Sequence, residues 1–92
     1  MYCSIRQYKI RKPEEFTELV NASFINVVRT IPGFISYMAL DQGDGWWTSV
    51  SVFDTREAMA QSDVLAAKWV KEHAAKLVWG PPEISSGPVV VR

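Results

Sequence analysis

The chain is poor in the residues that most often carry chemistry: it has one cysteine, Cys3, and one histidine, His73. A lone cysteine cannot close an internal disulfide, which excludes a secreted, disulfide-stapled scaffold. One cysteine and one histidine far apart in sequence do not make a zinc motif, so no metal site is expected. There is no G-x-G-x-x-G, no phosphate loop and no G-x-S-x-G, so no cofactor is expected either. Neither sign of charge is in excess, since ten basic residues face ten acidic ones. Nothing electrostatic therefore points to nucleic acid or an anionic membrane as partner. No stretch approaches the roughly 18 apolar residues that cross a bilayer. Residues 1–11 also lack the apolar run of a signal peptide, so the expected location is cytoplasmic.

What the chain does have is apolar and aromatic material: 48% of its 92 residues are hydrophobic and 12% aromatic. That length makes one domain, residues 1–92. Surplus apolar surface on so small a domain commonly goes into a subunit interface, and a homodimer is expected.

Periodicity orders the elements. Tyr2 to Ile10 alternates as a strand, with Tyr2, Ser4, Arg6 and Tyr8 on one face and Cys3 and Ile5 on the other. Pro13 suits a first helical turn, and Glu14, Glu15 and Glu18 complement the positive helix end. Phe16, Leu19, Val20, Phe24, Val27, Val28 and Ile31 recur at steps of three and four, which predicts an amphipathic helix ended by Pro32-Gly33. Phe34 to Asp41 and Trp46 to Phe53 read as strands, with the turn residues of a hairpin in Asp41-Gln42-Gly43-Asp44-Gly45. Asp54 and Glu57 resemble a capping box for a second helix, expected over Thr55 to Leu77. Trp79-Gly80-Pro81-Pro82 stops it, and Glu83 to Arg92 is a last strand with Pro88 marking an edge.

Strand, helix, hairpin, helix, strand is the βαββαβ order of a ferredoxin-like α+β fold. Right-handed crossovers give an antiparallel four-stranded sheet with two helices on one face. The other face would be bare on a single chain, and some of Tyr8, Tyr37, Trp46 and Trp47 are expected there. Packing against a second sheet would cover it.

Trp69 and His73 stand four residues apart and share one helix face. A histidine beside an aromatic in an apolar stripe is a candidate general base, although a satisfied core histidine has the same pattern. Tyr37, Trp47 and Trp69 are candidate walls of a ligand pocket, with Tyr8 and Arg6 as polar-tipped strand neighbours. Ser49 and Ser51 lack a sequence-local base and read as interior hydrogen-bonding groups.

The run Ile31-Pro32-Gly33-Phe34-Ile35-Ser36-Tyr37 resembles the start of the second strand in antibiotic-biosynthesis-monooxygenase-like (ABM) domains. Ser49 to Ala58 resembles their third strand and following helix start, and Gly80-Pro81-Pro82-Glu83-Ile84 their last crossover. The resemblance implies a dimeric α/β barrel and a cofactor-independent monooxygenase acting on a small electron-rich aromatic, quinol or polyketide in type. In that scheme His73 would be the base. The second helix begins Met59-Ala60-Gln61-Ser62-Asp63, without the histidines that many members carry there. That departure leaves open a non-catalytic small-ligand-binding or accessory module of the same fold. Tyr2 to Ile10 holds no asparagine, which argues against the haem-degrading branch.

Overall fold

The computed structural model describes residues 1–92. Strand β1 spans Tyr2–Lys9, β2 Phe34–Gly43, β3 Trp46–Phe53 and β4 Glu83–Pro88. They form one antiparallel sheet in the order β2-β3-β1-β4, so β1 is central and β4 an edge strand, as its proline requires. Residues 89–92, expected within the last strand, lie beyond it; only the Val89 amide continues the pairing, donating to the Met1 carbonyl at 2.9 Å.

The first helical segment is not regular. It runs as α1 (Pro13–Leu19), passes through a π-helical turn at Val20–Phe24 and continues as α2 (Ile25–Val28). The second is α3, Arg56–His73, shorter than expected at its C-terminal end because residues 74–77 turn back toward the sheet and Val78 bridges to Ile10. Its cap also differs from the predicted box. Thr55, not Asp54, is the N-cap, and its hydroxyl accepts from the Ala58 amide at 3.1 Å. Asp54 instead sits against Gly33, whose φ of +91° suits only glycine and where a Cβ would lie 2.0 Å from Asp54 Oδ1. The β2–β3 turn has two residues with positive φ, Asp44 at 54° and Gly45 at 85°. That is the type I′ geometry whose twist matches the strands it joins.

Alternation holds along the sheet except at two irregularities of β2, between Phe34 and Ser36 and between Asp41 and Gly43. Ser4, Arg6, Tyr8, Trp47, Ser49, Ser51 and Phe53 are buried on the face that carries the helices. Of the aromatics expected on the bare face, only Trp46 is there; Tyr8, Tyr37 and Trp47 all belong to the helix side. The bare face still carries an apolar row, since Met38 stands opposite Val50 and Val50 opposite Ile5 across three strands, beside a polar hollow lined by Gln7, Gln42, Thr48, Glu83 and Ser85.

Candidate functional site

Phe16, Val20, Phe24 and Val28 are all buried and follow one another at steps of four. On a regular helix of 3.6 residues per turn, such spacing drifts by about 40° at each step. The wider π turn takes up part of that drift and keeps the row facing the sheet. It also presents Ser23 to α3, where its hydroxyl accepts from the Trp69 indole at 2.9 Å. π turns of this kind recur at functional sites.

Between this helix, α3 and the sheet lies a small, half-open chamber. Its walls include Tyr37 of β2, Trp47 of β3, Trp69 of α3 and Tyr8 of β1, with Phe16 and Phe24 closing it from above. The rings meet edge to face: Phe16 and Trp47 centroids are 4.7 Å apart at 88°, Phe24 and Tyr37 5.6 Å apart at 65°. Trp47 is fixed by its indole N–H, which donates to Thr17 Oγ1 at 3.0 Å. The chamber measures about 10 Å³, room for one water molecule. Outside Tyr37 and Trp47 a groove of about 150 Å³ runs between the π turn and β2, lined also by Asn21 and Met38. The two spaces share Val20, Tyr37 and Trp47 as a common wall.

One charged side chain lines the chamber. Arg6 of β1 is 1% exposed. Its Nη1 donates to Asp63 Oδ1 of α3 at 2.7 Å, and Ser4 Oγ donates to the same oxygen at 2.6 Å. Arg6 Nε and Nη2 and the Ser49 hydroxyl are buried without a hydrogen-bond partner. Burial pushes the Tyr37 phenol up to about 12 against the opposing pull of the nearby Arg6 charge, and it raises the Tyr8 phenol as well. Both phenols are therefore neutral at physiological pH, although neither makes an aligned hydrogen bond to Arg6. Burial likewise raises the Cys3 thiol, which keeps it protonated.

The structure thus brings Tyr37, Trp47 and Trp69 together around one space. His73 is elsewhere. Its ring stacks at 36° on Trp69, 5.6 Å between centroids, so the shared helix face is as expected. It is the last residue of α3, however, and is exposed, lining a surface hollow with Glu72 and Lys76 rather than the chamber. The residue that sequence reasoning left in the background is Arg6; its place between Ser4 and Tyr8 on the inward face was the available signal. Nowhere do three His, Cys, Asp or Glu side chains gather as metal ligands do. No helix is long and apolar enough to cross a membrane.

No known family's sequence pattern and no curated protein matches the chain. Solved structures do. A Nitrosomonas europaea protein provisionally described as an antibiotic biosynthesis monooxygenase aligns with a TM-score of 0.77 at 18% identity, covering 99% of this chain and all of that one. SnoaB, a cofactor-independent oxygenase from Streptomyces nogalater, aligns at 0.74 and 20% identity over 99% of this chain and 94% of its own. The ActVA-Orf6 monooxygenase of Streptomyces coelicolor, solved with nanaomycin D bound, aligns at 0.72 and 18% over 99% and 92%. The chain therefore has the ferredoxin-like α+β fold of the antibiotic biosynthesis monooxygenase-type proteins.

Proposed function

We propose that the chain is a cofactor-independent monooxygenase of the antibiotic biosynthesis type, acting on a small electron-rich aromatic such as a quinol or a polyketide anthrone. The observation that carries this reading is a chamber walled by Tyr37, Trp47 and Trp69 with a single buried guanidinium, Arg6, in its lining. Aromatic walls suit a flat ligand, and a desolvated cation stabilises negative charge far more strongly there than in water. The ligand enters from the groove beside β2 by displacing the Tyr37 side chain, since the chamber holds no more than a water. Once its hydroxyl or methylene loses a proton to water, the resulting anion is electron-rich enough to reduce oxygen directly. For an anthrone, the methylene carbon gains one oxygen atom as a carbonyl. The other leaves as water with the two methylene hydrogens, and the substrate supplies all four electrons.

The chamber holds no histidine and no carboxylate. Arg6 therefore acts by lowering the ligand's own pKa rather than by assisting a base. His73 is left with a part only if water relays a proton to it at the surface.

The same absence favours a second reading, a non-catalytic module that binds such an aromatic. Oxygen uptake with a panel of quinols and anthrones separates the two: protein-dependent uptake supports the enzyme, whereas calorimetric binding without uptake supports the module.

The outer sheet face supports a homodimer. Met38 is 59%, Leu40 48% and Trp46 44% exposed there, beside Ile5, Val50 and Val52. Packing two such faces gives the dimeric α/β barrel. With a single free cysteine and so no internal disulfide, the chain also suits the cytoplasm.

A further inference from the structure

Round α3 from the chamber lies a second concavity. Ala66 and Trp69 line the chamber, whereas Ala67 and Lys71 line the other space, with Val70 in both. One residue is a step of about 100° round a helix, so the two spaces look onto adjoining faces of α3. The far wall is the crossover into β4. Residues 74–77 turn the chain back, Val78 bridges to Ile10, and Pro81-Pro82 carries it to Glu83. Two successive prolines are stiff and have no N–H to donate, so this wall is fixed and apolar. The result is a trough of about 250 Å³, with Tyr8 and Val70 as the wall it shares with the chamber. Lys71 is its only charged lining residue. That side chain is exposed and has no carboxylate within 4.0 Å, since the chain's ion pairs are Arg6–Asp63 and Lys12–Glu15.

We infer that the trough is a second binding site, for a small aliphatic carboxylate whose chain lies along Ala67, Val70 and Pro82 and whose charged end meets the Lys71 ammonium. Three features select that class. The walls are alanine, valine, proline and glycine, with Tyr8 as the one ring, so they offer an aliphatic lining rather than faces for stacking. One cation and no acidic residue in the lining complement a single negative charge. A lysine brings that charge on a flexible apolar stem, which can lie along the trough and hold the ammonium at its mouth. Volume sets the length. About 250 Å³ is the volume of about eight waters and falls just below the usual range of pockets for drug-sized molecules, so the chain is short, about eight carbons. The site is independent of the aromatic chamber, and neither needs the other.

Isothermal calorimetry with octanoate as the probe tests it. Wild-type protein is expected to bind octanoate saturably, and about tenfold more tightly than hexanoate, because two further methylenes leave water. Octan-1-ol keeps the chain and lacks the charge, so it is expected to bind about fivefold more weakly than octanoate, the range of an exposed ion pair. Lys71→Gln is expected to bring octanoate down to the affinity of the alcohol. Ala67→Phe sets a ring in the trough from an exposed helix position and is expected to abolish octanoate binding with the circular dichroism spectrum unchanged. No saturable binding of octanoate overturns the inference. So does octan-1-ol binding as tightly as octanoate, or a Lys71→Gln variant that loses nothing. Binding that survives Ala67→Phe puts octanoate elsewhere on the chain and overturns it too. A dimer that Ala67→Phe converts to a monomer in native mass spectrometry assigns the trough to a second copy instead. Should Ala67→Phe fail to fold, the comparison of octanoate with octan-1-ol and the Lys71→Gln variant decide. Each of these outcomes leaves the aromatic chamber as it was.

Discussion

At the scale of single residues, the site is a set of neutral phenols and indoles around one cation. Tyr37 carries a pH dependence with a definite sign. Its phenol is raised from 10.0 to about 12 in the folded chain, so the folded state binds its proton more tightly than the unfolded one. That stability is fully present below pH 10 and is lost as pH rises through about 12. Denaturant midpoints are expected to fall across that window, and Tyr37→Phe to fall less steeply; parallel curves would mean that Tyr37 is not buried as described. His73 gives the second prediction at this scale. A general base contributes about 10²–10⁴-fold to a rate. Because His73 is exposed outside the chamber, His73→Ala is expected to leave turnover unchanged; a loss of that size would restore it as the base. Tyr37, Trp47 and Trp69 stood out in the sequence as aromatics, but which sheet face Tyr37 and Trp47 take was left open there, because one residue of register decides it. Arg6 was legible as a polar-tipped strand residue beside the pocket, but its ion pair was not, since Asp63 lies 57 residues away.

The elements were legible to within their ends. Both helices, all four strands and a hairpin within Asp41–Gly45 follow from periodicity and breakers, although β2 runs on to Gly43 and leaves only Asp44 and Gly45 in the turn. What escaped was local geometry that periodicity averages over. The π turn hides in a row that looks helical, and only the strict four-residue steps from Phe16 to Val28 betray it. The helix cap slipped by one residue because Asp54 and Thr55 are both good N-caps; the contact of Asp54 with Gly33 settles which one caps. Thr55→Ala is therefore expected to cost about 1 kcal/mol. For a domain of this size that lowers Tm by about 4–8 °C. Asp54→Ala is expected to leave the α3 cap intact. Thermal melts of the two variants check this, and equal losses would contradict the assignment.

For the whole molecule, the open question is what covers the outer sheet face. Composition alone pointed to a dimer, and the register now gives the patch a centre at Met38, Val50 and Ile5. The sequence could not say which aromatics belong there, because one residue of register decides the face of every side chain in a strand. Native mass spectrometry is expected to find a dimer for the wild type and a monomer for Met38→Glu, with the far-ultraviolet spectrum unchanged. A wild-type monomer would mean that this face is tolerated in water.

The reading of the chain as an oxygenase meets its most direct test at an oxygen electrode. Purified protein is mixed with an anthrone under air, and the product of a parallel reaction in ¹⁸O₂ is weighed. The account predicts protein-dependent uptake, one O₂ for each anthrone, with one labelled oxygen in the product. Uptake indistinguishable from buffer across the quinol and anthrone panel would contradict it, and the chamber would then be a binding site without chemistry.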